Sequence, residues 1–166
     1  KFIPDIEGEF PAVYENYEAD INISLNNALA NLKKYKTLKL VFPDHSDYPK
    51  AIIKGFYKFC QENKMQHILV SNLKNEKIEA GTCYINIAEK DLVVLIEKIN
   101  KKNLLVGTDV GLISYNETPL KKYILNGITT ISTDFDFMGK AAAQLILTNS
   151  TQHIEVPFHL IIRDSI

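Results

Sequence analysis

The segment that decides the fold runs from Val110 to Leu120 and reads VGLISYNETPL. Its first half is apolar, as in a buried strand, and its second half is polar and turn-forming. A related segment, GITTIST, follows at residues 127–133. In open parallel sheets, ligands bind beside the carboxyl ends of the strands. The polar residues from Asn116 onward therefore stand where a ligand site is expected.

Strands and amphipathic helices alternate along the rest of the chain. Apolar residues at helical spacing predict helices over about residues 18–34, from Pro49, from Glu89 and from Met138. Short apolar runs predict strands at 37–42, 68–70, 82–87, 110–115, 128–132 and 158–162. This order predicts an α/β fold with a mainly parallel, doubly wound sheet.

Length and charge narrow the class of protein. At 166 residues the chain favours one domain or one lobe with a substantial core. Its net charge of −1 is spread over interspersed Lys and Glu, so the chain by itself lacks a basic surface for nucleic acid. No apolar run approaches the roughly 20 residues that span a bilayer, so no membrane contact is predicted. Cys60 and Cys83 lie in apolar segments, which favours buried thiols in a reducing compartment.

Polar side chains follow the predicted parallel strands and form a candidate binding row. Parallel strands end at one edge of a sheet, so these side chains should gather there and offer donors and acceptors to the hydroxyls of a small sugar. Tyr48 and Tyr115 would cover the C–H face of a sugar ring. For each single residue, the alternative interpretation is a helix cap. The row consists of Asp44, His45, Ser46, Asn72, Glu89 and Asn116.

No pattern typical of catalysis, metal binding or a nucleotide cofactor competes with this interpretation. The four histidines, His45, His67, His153 and His159, are scattered without metal-ligand spacing. The two cysteines lie in apolar segments that disfavour a thiolate, and Gly-rich phosphate-binding motifs are missing. Paired lysines such as Lys121-Lys122 are predicted to be solvated. The sequence therefore predicts no enzyme activity, no metal and no cofactor.

Four motifs occur in an order that resembles a known family. They are the strand ending at Asn116-Glu117, the Thr129-Thr130 strand, the Met138-Gly139 helix start and the final Arg163-Asp164-Ser165. This order is similar to that of the effector-binding domain of the lactose-repressor (LacI/GalR) family and its sugar-binding periplasmic relatives. The resemblance runs from about Pro11 to Ile166. It implies a periplasmic-binding-protein-like fold of type I, in which two lobes close on a ligand.

The resemblance also implies particular ligand-binding positions. Asn16 and Asn116 fall where the family has ligand-binding aspartates, and an amide still bonds hydroxyls but without the strength of a charge. Thr133 and Phe135 fall on the last segment that crosses between the lobes. Ile52 replaces the arginine that grips the effector in the family, so that contact must come from elsewhere, with Asp44, His45 or Lys50 as candidates, or the ligand differs.

The same resemblance implies how the chain is organised. Residues 1–166 are expected to be a fragment of a ligand-binding domain that lacks its N-terminal part. Residues 15–131 would form mostly the C-terminal lobe, while residues 1–14 and 132–166 would cross to, or return to, an incomplete N-terminal lobe. The apolar faces of that incomplete lobe would then need another partner.

The function implied by the resemblance is effector sensing in a bacterial transcriptional regulator. A small sugar or related metabolite would bind between the lobes, and closure would change the DNA affinity of a separate domain. The Ser114–Leu120 motif is similar to effector domains that follow GntR-type winged-helix modules. A homodimer in the cytoplasm is expected. The alternatives are a periplasmic sugar-binding protein of a transport or signalling system and an enzyme of flavodoxin-like architecture.

Overall fold

A computed structural model of the protein describes residues 9–166. The strands are β1 (Ala12–Tyr14), β2 (Thr37–Val41), β3 (Gln66–Val70), β4 (Thr82–Asn86), β5 (Val110–Tyr115), β6 (Thr129–Thr133), β7 (His153–Glu155) and β8 (Phe158–Ile161). The helices are α1 (Tyr17–Asn27), α2 (Leu29–Leu32), α3 (Ala51–Glu62), α4 (Glu89–Lys101) and α5 (Phe135–Leu147), with a 3-10 turn at Ile124–Asn126. Among the residues described, no helix combines the length and apolar character needed to cross a membrane.

The main body is a six-stranded sheet, the large sheet, in the order β3-β2-β4-β5-β6-β8. Its neighbouring strands from β3 to β6 pair in parallel, and β8 alone pairs antiparallel, with β6. Helices cover both faces because alternate strand residues point in opposite directions. Leu40 and Ile113 pack with Phe56 of α3 on one face, whereas Leu112 packs with Leu95 of α4 on the other. The predicted α/β, mainly parallel, doubly wound fold is confirmed.

α1 and α3 lie unusually close together on one face of the large sheet. A Cβ atom added at Gly55 of α3 would lie only 2.2 Å from the backbone oxygen of Glu18 in α1. Glycine at this position therefore sets the close contact between the two helices.

A second, small sheet consists of β1 and β7, which pair in parallel, and α5 packs against β1. Three crossing segments connect it to the large sheet: residues 15–16, residue 134 and residues 156–157. They are bonded to one another, because Val156 N donates to Tyr14 O at 2.9 Å and Asp134 N donates to Pro157 O at 2.9 Å. The two sheets are therefore joined by three adjacent crossings.

Two details of the predicted organisation are wrong. Thr133 and Phe135 flank the second crossing segment and not the last, which is Val156-Pro157. The strand predicted at 158–162 does not return to the other lobe: Phe158–Ile161 pairs with β6 in the large sheet, Phe158 opposite Thr133. The strand that returns to the small sheet is instead β7. Its three residues are too few to show the alternation of a strand in the sequence.

The exposed side of the small sheet carries large apolar residues. Ile146 and Leu147 of α5 are 71% and 84% exposed. Beside them, Pro11, Val13 and Met138 line an apolar cavity. These residues form an exposed apolar surface on this side of the small sheet.

Candidate functional site

The carboxyl ends of β2 to β6 lie along one edge of the large sheet. The parallel registers align Val41 with Val70 and Asn86, and Asn86 with Ser114. The loops that follow these strands therefore leave the sheet on the same side, facing the small sheet and its crossing segments. We call this the binding edge.

At the middle of the binding edge, two predicted tyrosines and one predicted asparagine are in contact. Asn116 Nδ2 donates a hydrogen bond of 2.9 Å to the Tyr48 hydroxyl. The Tyr48 ring stands edge-on to that of Tyr115, with 6.2 Å between centroids. Asn116 has a φ of 59°, a left-handed conformation that asparagine tolerates better than most residues. These three residues join the loops after β2 and β5.

The side chain of Lys121 binds the backbone of the Asn116 turn. Its Nζ donates to the carbonyls of Tyr115 and Asn116 at 2.8 and 2.6 Å, and forms an ion pair with Glu89 at 3.0 Å. The side chain is 1% exposed, so the prediction of a solvated lysine is wrong at this position. Burial is tolerated because the ammonium group has three acceptors. Lys121 thus connects Glu89, at the first turn of α4, to the Asn116 turn.

Glu15 and Thr133 meet where two crossing segments approach each other. Thr133 Oγ1 donates to Glu15 Oε1 at 2.5 Å, and the Tyr17 hydroxyl donates to the other carboxylate oxygen. Thr133 was predicted from the sequence, but Glu15 was not. Its position directly before Asn16 was the available signal, because the resemblance placed a binding residue at the next position.

The other predicted site residues contact only their own loop or helix, or are exposed. Asn16 caps α1, since its side chain accepts from Ala19 N at 3.4 Å. Ser46 Oγ accepts from Tyr48 N at 3.2 Å and shapes the loop after β2. Asp44 and His45 are exposed in the same loop, and Phe135 is 52% exposed at the start of α5.

Asn72 lies apart from this group. It follows β3, three strands from β5 in the sheet order, which corresponds to roughly 14 Å at the usual strand spacing. Its side chain accepts from Lys74 N at 3.2 Å, so it shapes its own turn. We therefore do not expect a single monosaccharide to contact both Asn72 and Asn116.

Burial and negative charge dominate the electrostatics of the binding edge. Burial raises the pKa of the Tyr48 hydroxyl, and the nearby carboxylates of Glu15 and Glu89 add to the effect. Burial also raises the pKa of Tyr115, with Asp20, Tyr17 and Glu15 contributing. The pKa values of the Cys60 and Cys83 thiols are raised by burial, and both cysteines are free and buried as predicted. Across residues 9–166, no three His, Cys, Asp or Glu side chains are grouped to hold a metal ion.

The matching family model covers most of the chain. Residues 28–166 match the periplasmic binding protein-like domain, and the chain belongs to this family. No curated protein sequence matches it.

Solved structures that share this fold include transcriptional repressors and regulators. A lac repressor bound to ONPG in its repressed state is 20% identical, with a TM-score of 0.75 over 93% of this chain and 52% of its own. A LacI family transcriptional regulator from Enterococcus faecium with bound ribose is 18% identical, with a TM-score of 0.73 over 97% of this chain and 67% of its own. A LacI family regulatory protein from Chloroflexus aggregans is 15% identical, with a TM-score of 0.76 over 98% of this chain and 65% of its own. The chain therefore spans about half to two thirds of the length of these structures.

Proposed function

We propose that the chain is the effector-binding part of a bacterial transcriptional regulator and binds a small sugar or related metabolite between two lobes. The main support is the hydrogen-bonded pair of Tyr48 and Asn116 at the centre of the binding edge. Thr133 and Glu15 form a second pair at the crossing segments, which connect the large sheet to the small sheet. Structures of the same fold contain ribose or ONPG, and each of these proteins is a repressor or regulator.

In this proposal the large sheet with its helices is the C-terminal lobe. The small sheet with α5 is the part of the N-terminal lobe that the chain contains, and further strands of that lobe would cover the exposed side of α5. The effector contacts Tyr48 and Asn116 from one lobe and residues beyond the crossing segments from the other. Closure then shifts the population of two lobe arrangements, because the ligand binds the closed one more tightly.

DNA contact lies outside this chain in our proposal. The net charge of −1 supports a sensing role for the chain and a separate domain for DNA. The Ser114–Leu120 motif favours a winged-helix module of the GntR type. Such a regulator would act as a symmetric homodimer in the cytoplasm, without enzymatic turnover, and effector binding and DNA binding would be coupled through linkage.

Sugar binding to the full-length protein tests the proposal. A ligand specific for the folded state raises the melting temperature, so a thermal-shift series with ribose, glucose, galactose and mannose should contain at least one stabilising sugar. Asn116→Leu should then weaken binding of that sugar about tenfold, because an amide hydrogen-bonding site is lost at the centre of the edge.

Asn75→Leu is the matched control, since Asn75 is an exposed amide in the loop after β3. It should leave the sugar affinity within twofold of the parent. Sugar sensing is contradicted when neither these sugars nor their amino or phosphate derivatives stabilise the protein, or when the Asn75 and Asn116 variants lose affinity equally.

A further inference from the structure

Glu15 is a carboxylate at the crossing segments whose partners are neutral. Its two oxygens accept from the Tyr17 and Thr133 hydroxyls, and the side chain is half-buried. Within residues 9–166 it forms no ion pair. Hydroxyl donors keep the carboxylate in one orientation but do not neutralise it, so a net negative charge remains on the surface that faces the small sheet.

Two cationic side chains that follow β5 and β8 are already paired with other carboxylates. Lys121 pairs with Glu89, and Arg163 pairs with Glu117 through two hydrogen bonds. His159 lies 3.2 Å from Asp134 at the second crossing segment. Lys50 and His45 are exposed in the loop after β2. The position where the resemblance implies a ligand-gripping arginine holds Ile52, which is fully buried in the core.

Carboxylates also act on the two tyrosines of the binding edge. Glu15 and Glu89 both act to raise the pKa of the Tyr48 hydroxyl, after burial, which is the larger cause. The Tyr115 hydroxyl is buried and has no hydrogen-bond partner among the residues described. The carboxylates of Glu15 and Glu89 thus place negative charge beside the Tyr48 hydroxyl, which disfavours a phosphate or carboxylate on the ligand and favours an ammonium group.

We propose that the effector is an amino sugar and that Glu15 binds its protonated amine. This inference rests on the proposed function, of which it specifies the ligand class. The amine would take the place of the missing cationic partner of Glu15, while Tyr48 and Asn116 bind the hydroxyls of the same ring. An ammonium group adds the attraction of opposite charges to the hydrogen bond with Glu15, which a neutral hydroxyl of the parent sugar lacks, so the amine adds affinity over the parent sugar.

The test compares matched ligands on the full-length protein. Glucosamine, galactosamine and mannosamine are each measured against the parent sugar and its 6-phosphate, by thermal shift and then by calorimetry, at low salt and neutral pH. We expect one amino sugar to bind about tenfold more tightly than its parent and to lose affinity in 0.5 M NaCl, because salt screens charge pairs. In Glu15→Gln this advantage should disappear, while the parent sugar stays within threefold.

Glu18→Gln is the control, because Glu18 is an exposed glutamate three residues away on α1. It should retain the preference for the amine. The inference is overturned when a parent sugar or a phosphate binds as tightly as its amine, or when Glu15→Gln weakens parent and amine equally, as a merely structural residue would. In those cases sugar sensing survives; if no compound of the three groups binds, the proposed function fails as well.

Discussion

Replacing Arg163 with methionine should lower the free energy of unfolding by about 3 kcal/mol, as expected when one partner of a largely buried ion pair is removed. The guanidinium of Arg163 donates to Glu117 Oε1 and Oε2 at 2.9 and 3.0 Å and to the carbonyl of Ile128 at 2.6 Å. Only 17% of the Arg163 side chain and 26% of the Glu117 side chain are exposed. The variant leaves the Glu117 carboxylate and the Ile128 carbonyl without these donors. Because both side chains of the ion pair are partly exposed to solvent, we expect a loss at the lower end of the range for buried ion pairs. Urea unfolding at pH 7 measures it.

The pH dependence distinguishes this ion pair from simple packing. Burial acts to raise the pKa of Glu117, but the hydrogen bonds from Arg163 and Thr130 outweigh it, and the pKa lies below its ordinary value. The stabilisation is therefore complete above the ordinary pKa of glutamate and is lost as pH falls through the lower, folded-state pKa. The difference between parent and Arg163→Met should shrink in acid.

Lys122→Met, at an exposed lysine in the loop between β5 and β6, should change stability by less than about 0.5 kcal/mol. Equal losses in the two variants, or a loss in Arg163→Met that does not change with pH, would contradict the role given to the Glu117–Arg163 pair.

The same ion pair explains why two distant motifs were visible in the sequence. Glu117 follows β5 and Arg163 follows β8, and β6 lies between them in the large sheet. Gly127, with a φ of 106°, completes the arrangement, because a Cβ there would lie 2.7 Å from Arg163 Cδ. The ion pair requires glutamate and arginine at these two positions, and the close approach of Arg163 requires glycine at position 127. The pattern of these residues in the sequence was therefore enough to indicate the fold.

The strands of the large sheet were predictable because each combines an apolar run with a polar end. β1 and β7 were not, since three residues are too few to show alternation. The helix predicted over 18–34 is broken at Ala28, whose ψ of 0° ends α1 although the apolar spacing continues. The spacing of apolar residues indicates which face of a helix is buried. It does not show where the helix is interrupted.

The site was predictable at the level of loops but not of contacts. Tyr48 and Asn116 were both expected at the binding edge, yet their hydrogen bond depends on a left-handed turn that Lys121 holds. A lysine next to another lysine in a loop carries no sequence signal of burial. Asn72 was expected beside them because strand order cannot be read from the sequence, and β3 is at the far edge.

The crossing segments link the binding edge to the region where the two sheets meet. Asp20 of α1 and Glu155 of β7 line a cavity of about 290 Å³ beside the third crossing segment. Asp20 is 7% exposed, and its Oδ2 has no hydrogen-bond partner among the residues described. Burial, followed by the charge of Glu155, raises the pKa of Asp20 to about 7. A carboxyl group that is neutral in mild acid thus lies between α1 and the small sheet.

Asp20→Asn should therefore stabilise the protein in a pH-dependent way. The folded state binds more protons than the unfolded state between the ordinary pKa of aspartate, about 4, and the folded-state pKa, so the parent loses stability as pH rises through this window. A rise of about three pKa units corresponds to about 4 kcal/mol. Solvent in the adjoining cavity screens the charge, and we expect about 2 kcal/mol.

Unfolding free energies of parent and Asp20→Asn, measured from pH 4 to pH 8.5, give this difference directly. The advantage of the variant should grow between pH 4 and pH 7 and stay constant above it, whereas Glu18→Gln, at an exposed carboxylate, should show no such growth. Glu155→Gln should reduce the pH dependence without abolishing it, because burial is the larger cause of the raised pKa. An Asp20→Asn advantage that is the same at pH 4 and pH 8.5 would mean that Asp20 titrates as an ordinary surface carboxylate.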